Sequence, residues 1–124
     1  MDPTEEAPTV KHNKLKYRPL SSLRCYQVAC QAGWQNLPVE EVTRRVHDLK
    51  MAAFENLGAG FYSYENAEKV RYYNQARAAL GSIVALLCSC KARRDQWNHE
   101  ISVIESQVIP ACSALIRKIE KKIT

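Results

Sequence analysis

Basic side chains are the residues of this chain best suited to a chemical task. The sequence has 18 lysines and arginines against 13 acids, and residues 1–10 hold three of those acids and no base. Residues 11–124 therefore carry a net charge of +8, from 18 bases and 10 acids. A body this basic favours a polyanionic partner, most often nucleic acid, although the charge can also serve solubility alone.

Nine of these cations are the candidates for contacts to a phosphate backbone. Each would position a nucleic acid without reading its sequence. Cations near a helix C-terminus have a second explanation, because they also stabilise the helix dipole. The nine candidates are Arg44, Arg45, Arg71, Arg77, Arg93, Arg94, Lys118, Lys121 and Lys122.

The remaining reactive residues form no pattern typical of a metal or catalytic site. No C-x-x-C occurs, and the three histidines stand at no zinc-binding spacing. Glu100 and Glu105 are five residues apart on a predicted helix, so they do not share a face. We therefore predict no enzyme activity, no metal and no cofactor. The five cysteines are expected to be reduced thiols in a cytoplasm, and they are Cys25, Cys30, Cys88, Cys90 and Cys112.

The stretch from Ser63 to Lys91 predicts a long helix around which the other elements are organised. Its apolar residues recur at alternating steps of three and four, which is the spacing of one helix face. Its second half carries no charge, so it is either central to a bundle or also used in self-association. It is too short and too interrupted to predict a membrane span. The predicted stripe consists of Tyr73, Ala76, Leu80, Ile83, Leu87 and Cys90.

Two residues of this helix, Leu86 and Cys88, lie off the stripe and are the predicted oligomer interface. A single chain would struggle to bury them together with the stripe, so we expect a closed homo-oligomer. Tyr62, Tyr64, Tyr72 and Tyr73 cluster near the start of the helix. We expect them to pack with their hydroxyls reaching water, rather than to stack on bases.

Three further helices are predicted, with a flexible N-terminal tail over residues 1–19 that includes a basic arm. The first helix runs from Ser21 to Asn36. The second begins at Pro38 and ends at Gly58 and Gly60, one of which should adopt positive φ. The fourth begins at Asp95, is kinked by Pro110, and buries Trp97, Ile101, Ile104, Val108, Ala111, Leu115 and Ile119. The predicted fold over residues 20–124 is an all-α, antiparallel up-down-up-down four-helix bundle.

Three short motifs resemble one protein family. Tyr26-Gln27-Val28-Ala29, Asn56-Leu57-Gly58-Ala59-Gly60-Phe61 and Ala79-Leu80-Gly81-Ser82 are similar to motifs in its first, second and third helices. The family comprises four-helix-bundle proteins encoded in intervening sequences of bacterial 23S ribosomal RNA, together with the accessory variability determinants of diversity-generating retroelements. Three positions depart from the family pattern, since Asp48, Ala59 and Ala85 replace the charged residues expected there.

The resemblance implies a non-enzymatic bundle that assembles as a homopentamer. In its retroelement branch it also implies binding to nucleic acid, RNA or DNA, and to a reverse transcriptase. The first functional hypothesis is therefore an oligomeric nucleic-acid-binding accessory scaffold without a membrane partner. The alternative is a protein–protein interaction adaptor of the intervening-sequence type, whose partner binding would be insensitive to salt.

Overall fold

A computed structural model describes residues 19–123, and this part of the chain is helical with no strand. Three-residue 3₁₀ turns, Leu20–Ser22 and Lys91–Arg93, precede the first and the last helix. The last helix, α4, consists of three consecutive segments, one of them a π-helical turn. The basic arm predicted in the tail lies outside the described residues. The helices are α1 (Arg24–Gln31), α2 (Val39–Tyr62), α3 (Asn66–Cys88) and α4 (Arg94–Val103, Ile104–Val108 and Ile109–Ile123).

The central helix is α3, against which both α2 and α4 pack along their length. All six residues of its predicted stripe are buried, with exposed fractions of 8% or less. The amide of Leu37 donates to the carbonyl of Ser89 at 3.0 Å, and Lys91 donates to Gln35 at 2.9 Å. These bonds join the start of α2 to the end of α3, so the two helices are antiparallel.

The first helix is shorter than predicted and does not begin at Ser21. Ser21 lies in a 3₁₀ turn, and α1 ends before Gly33, whose φ of 90° is a left-handed conformation that favours glycine. The Trp34 amide bonds back to the Ala29 carbonyl at 3.1 Å, the pattern of a glycine-terminated helix. As a consequence, Trp34 leaves the helix and is 71% exposed rather than packed.

The predicted end of the second helix at Gly58 and Gly60 is wrong. Both glycines lie inside α2, which continues to Tyr62, and neither has positive φ. The helix ends at Ser63, whose hydroxyl donates to the Ala59 carbonyl at 2.7 Å. Ser63 therefore closes α2 and does not cap α3, because α3 begins after Glu65.

Pro110 is accommodated by the π-helical turn Ile104–Val108 that precedes it in α4. A π turn contains one more residue than an α turn, so it shifts the buried face by one position. Cys112 and Ile116 are buried in place of the predicted Ala111 and Leu115, which are exposed. The prediction of those two positions is wrong because the sequence stripe assumes an unbroken α-helical period.

Two glycines of α2 offer a matched test of this packing. A Cβ at Gly60 would lie 2.7 Å from the ring of the buried Tyr73, whereas a Cβ at Gly58 would meet nothing within 4 Å. We expect Gly60→Ala to destabilise the fold by about 1–3 kcal/mol through overpacking. Gly58→Ala should instead stabilise it by up to about 1 kcal/mol, because alanine favours the helix. Urea unfolding of both variants measures the two effects, and equal effects of the two substitutions would contradict the described approach of α2 to α3.

Candidate nucleic-acid interface

Eight of the nine predicted phosphate contacts fall at opposite ends of the helical array, and Arg77 lies midway along α3, so the nine are not brought together. Since α2 and α4 both run antiparallel to α3, the start of α2 and the start of α4 lie at one end. Arg44, Arg45, Arg93 and Arg94 lie there, and we call them the arginine end. Arg71 and the late α4 residues Lys118, Lys121 and Lys122 lie at the other end, which we call the lysine end.

At the arginine end, the exposed residues are Arg44, Arg45 and Arg93. Arg93 donates to the amide oxygen of Gln96 at 3.1 Å. Arg94 is half-buried, and its Nε atom is buried without a hydrogen-bond partner among the described residues. Its guanidinium is therefore partly a component of the protein interior, which leaves the other three as the accessible cations of this end.

At the lysine end, the three late α4 lysines are exposed. Ile116 and Ile119 pack on Tyr73 of α3, and this contact holds the last turns of α4 beside the start of α3. Within residues 19–123 the ion pairs are Lys50–Glu100 and Arg71–Glu68, so none of the three lysines has a carboxylate partner there. Their charge is available to a polyanion.

Two of the nine predicted residues already have partners inside the chain. Arg71 lies 2.7 Å from a carboxylate oxygen of Glu68, and its guanidinium stacks over the Tyr72 ring at 4.4 Å. Arg77 donates to the Ser113 hydroxyl at 3.1 Å and to the Asn74 amide oxygen at 2.7 Å. Arg77 thereby joins α3 to α4, and its substitution is expected to affect packing as well as charge.

Exposed aromatic rings accompany the lysine end. Tyr64 is 99% exposed and Tyr62 is 79% exposed, at the turn where α2 passes into α3. The expectation that the tyrosines pack is wrong for Tyr64, which lies in the link between α2 and α3. Tyr62 is the last residue of α2, and its ring meets the Phe61 ring edge-on at 5.0 Å while staying largely exposed. Tyr73 is buried, as expected for a residue of the α3 stripe. Proteins that bind single-stranded nucleic acids combine cations, which contact the phosphates, with exposed aromatic rings, on which the bases stack.

The sequence did not indicate a buried polar cluster around Cys88. The Tyr26 hydroxyl is buried and makes no hydrogen bond of good geometry among the described residues, while the thiols of Cys30 and Cys88 are its polar neighbours. Burial raises the pKa of Tyr26 and of the Cys88 thiol, although Arg94 acts to lower the latter. A thiol with a raised pKa remains protonated at neutral pH, so this cluster supplies no reactive thiolate.

The oligomer interface at Leu86 and Cys88 was predicted on the argument that a single chain could not bury both side chains. The structure does not support that argument. Cys88 is 4% exposed in the single chain, and Leu86 is half-buried against the core. Tyr26 of α1 lies beside Cys88, and the Leu20 amide in the preceding turn donates to Glu105 of α4 at 2.7 Å. The single chain therefore accommodates both side chains with its own residues.

Residues 19–123 contain no group of three or more histidine, cysteine or acidic side chains arranged to hold a metal ion. Over the same residues, none of the helices combines the length and the apolar character needed to cross a membrane.

The buried thiols predict how stability depends on pH. Burial raises the pKa of Cys88, Cys90 and Cys112 above the ordinary thiol value of 9.0. The folded chain then holds these protons more tightly than the unfolded chain. The contribution of the three protonated thiols to the free energy of unfolding is therefore complete below about pH 9 and is lost as the pH rises further. Thermal unfolding under reducing conditions should show a constant melting temperature from about pH 7 to about pH 8.5 and a decline above about pH 9.

Replacing the three buried thiols provides the test of this cause. The triple variant Cys88→Ala, Cys90→Ala and Cys112→Ala should melt at a lower temperature at neutral pH, because it loses packing, but with a weaker decline at high pH. Cys25→Ala is the control, since Cys25 is exposed. An unchanged decline in the triple variant would assign the alkaline transition to other groups.

Comparison with protein-family models, with curated proteins and with solved structures gives no match to this chain.

Proposed function

We propose that this chain is a non-enzymatic nucleic-acid-binding protein that contacts phosphates through exposed cations and stacks bases on Tyr62 and Tyr64. The observation that carries the proposal is the juxtaposition at the lysine end. Exposed lysines of α4, which have no carboxylate partner among residues 19–123, lie at the same end as two tyrosine rings that are 79% and 99% exposed. A stacked base is worth about 1–3 kcal/mol, and stacking tolerates any base.

The aromatic rings favour a single-stranded ligand over a duplex. Bases in a duplex are stacked on each other, so their faces are not accessible to a protein ring. A flexible single strand can place one base on Tyr64 while its phosphates contact Lys118, Lys121 or Lys122. Nothing in the described residues supplies a groove-reading element, so sequence preference should be weak.

The separation of the two basic ends sets a length requirement. The 23 residues of α3 correspond to about 34 Å of helix, so the arginine end and the lysine end lie on the order of 30 Å apart. For a strand that keeps the stacked, helical rise of about 3.4 Å per nucleotide, roughly nine nucleotides are needed to contact both ends of one chain. Affinity should therefore increase in a step near this length.

The phosphate contribution is tested by changing one basic end. We expect Arg44→Ala combined with Arg45→Ala to weaken binding about equally across unrelated sequences and to flatten the dependence of log affinity on log salt. Fluorescence anisotropy with labelled single-stranded RNA and DNA in low salt measures both quantities. Lys50→Ala is the control, because Lys50 is already neutralised by Glu100 at 2.7 Å and should contribute little. RNA and DNA of similar shape should compete with each other.

The stacking contribution is tested separately at the lysine end. Tyr64→Ala should weaken single-strand binding by about 5- to 100-fold with little change in the salt slope, because it removes a ring and no charge. Duplex binding should change much less. Lys118→Ala with Lys121→Ala should instead reduce the slope. A Tyr64→Ala variant that binds single strands as tightly as the unchanged chain would contradict the stacking role.

A protein-interaction adaptor is the second candidate, favoured by the exposed Trp34 and Leu37 in the link between α1 and α2. Absence of nucleic-acid binding at tens of micromolar in low salt, on the order of the weak non-specific range, would place this candidate first. Assistance to a retroelement reverse transcriptase and assembly into five copies have the sequence resemblance as their support.

A further inference from the structure

Arg77 carries a half-buried positive charge that no acidic side chain neutralises. It lies midway along α3 and bonds across to α4. The ion pairs formed among residues 19–123 do not include Arg77, so its guanidinium has no carboxylate partner there. Charged groups that are withdrawn from water are usually paired with an opposite charge. An anionic ligand would therefore be stabilised at this position.

Two neutral side chains hold the Arg77 guanidinium in one orientation. Its Nη1 donates to the Ser113 hydroxyl at 3.1 Å, and its Nη2 donates to the Asn74 amide oxygen at 2.7 Å. Asn74 is itself fixed, because its amide nitrogen donates to the Val70 carbonyl at 3.0 Å. A guanidinium has five N–H donors, so these two bonds leave the others for a ligand. Because Arg77 is oriented in advance, little conformational freedom is lost when a ligand binds.

The Ser113 hydroxyl is used differently from other hydroxyls on the helices. Thr43, Ser63 and Ser106 each donate to the carbonyl four residues earlier. Ser113 instead accepts a hydrogen bond from Arg77, and its own proton has no acceptor within the part of the chain that the structure describes. That proton is available to a second acceptor, such as a phosphate oxygen.

A second cation lies next to this pair on α4. Arg117 is exposed and follows Ser113 by four residues, so the two share one side of the helix. The packing of Ile116 on Tyr73 sets how α3 and α4 are aligned. This alignment places Arg117 opposite the turn of α3 that contains Asn74, about one helical turn, or roughly 5.4 Å, along the axis from Ser113.

The α3 side next to Arg77 is open. Gly81 follows Arg77 by four residues on the same side of α3, and a Cβ there would meet nothing within 4 Å. A ligand can therefore approach the helix backbone beside the guanidinium. We call the surface formed by Asn74, Arg77 and Gly81 of α3 with Ser113 and Arg117 of α4 the α3–α4 groove.

We propose that the α3–α4 groove binds a backbone phosphate of the single strand that contacts the lysine end. The inference rests on the proposed function and adds Asn74, Ser113 and Arg117 to its site. Arg77 and Arg117 neutralise the phosphate, and Ser113 donates a hydrogen bond to it. Asn74 is a positioning residue, since it acts through Arg77. Because Arg77 lies at the midpoint of α3, the groove contacts the strand about halfway between the arginine end and the lysine end.

Gly81→Glu is the direct test, because it adds a negative charge to the groove without removing a contact. The probe is a labelled oligothymidylate longer than roughly nine nucleotides, with affinity measured by fluorescence anisotropy in low salt. Gly81→Glu should weaken binding by at least about tenfold. Circular dichroism should show an unchanged fold, because the position has room for a side chain.

Gln75→Glu is the matched control for this variant. It adds the same charge to the same helix at an exposed position. Gln75 lies two residues before Arg77, which is about 200° around the helix and thus on the side away from the groove. Gln75→Glu should weaken binding by less than about threefold, because the added charge is separated from the ligand and screened by solvent.

Arg117→Ala tests the second cation. It should weaken binding by about 3- to 10-fold and lower the salt slope by about 0.7, the value for one phosphate contact on a single strand. Arg24→Ala is its control, since Arg24 is an exposed arginine of α1 that belongs neither to the groove nor to either basic end. Arg77→Lys retains the charge but cannot bond to both Ser113 and Asn74, so it should weaken binding with little change in the slope.

The possible outcomes separate this inference from the proposed function. Single-strand binding that Gly81→Glu and Gln75→Glu weaken equally would overturn the groove and leave the proposed function standing. Equal effects of Arg117→Ala and Arg24→Ala would do the same. Absence of single-strand binding by the unchanged chain at tens of micromolar, on the order of the weak non-specific range, would overturn both.

Discussion

Burial of the α3 stripe is the interaction on which the other described elements depend. Its residues are nearly inaccessible, and Ala79, Val84 and Cys88 beside the stripe are buried as well, so helices cover α3 on more than one side. The connections allow this because three residues link α2 to α3 and five link α3 to α4. Short connections force consecutive helices to pack antiparallel. The positions of both basic ends follow from this single arrangement.

The stripe of α3 could be predicted from the sequence because an unbroken helix maps spacing directly onto a face. The end of α2 could not be predicted, because the segment Gly58-Ala59-Gly60 is typical of a helix end. Only a contact between α2 and α3 explains why glycine stands inside the helix instead. Gly60 is required where the Tyr73 ring approaches the α2 backbone. The core of late α4 could not be predicted either, since a π turn beside Pro110 changes the phase without any local marker except the proline itself.

The candidate site shows a similar division. Which residues are basic is evident from the sequence, but which of them are accessible is not. Arg77 bonds to Ser113, a residue 36 positions away, and Arg94 inserts beside Cys88. Only the fold reveals these contacts.

The attachment of α1 has a consequence for the order of folding. The α2–α3 and α3–α4 contacts join elements that are neighbours in the chain, so their loops close at a low cost in entropy. The Leu20–Glu105 bond, by contrast, joins residues 85 positions apart, and Tyr26 meets Cys88 over a similarly long stretch. The three long helices can therefore form before α1 docks, and α1 is the segment expected to exchange its amide hydrogens first under native conditions. Each transient departure of α1 would admit solvent to the Cys88 thiol while the rest of the fold persisted.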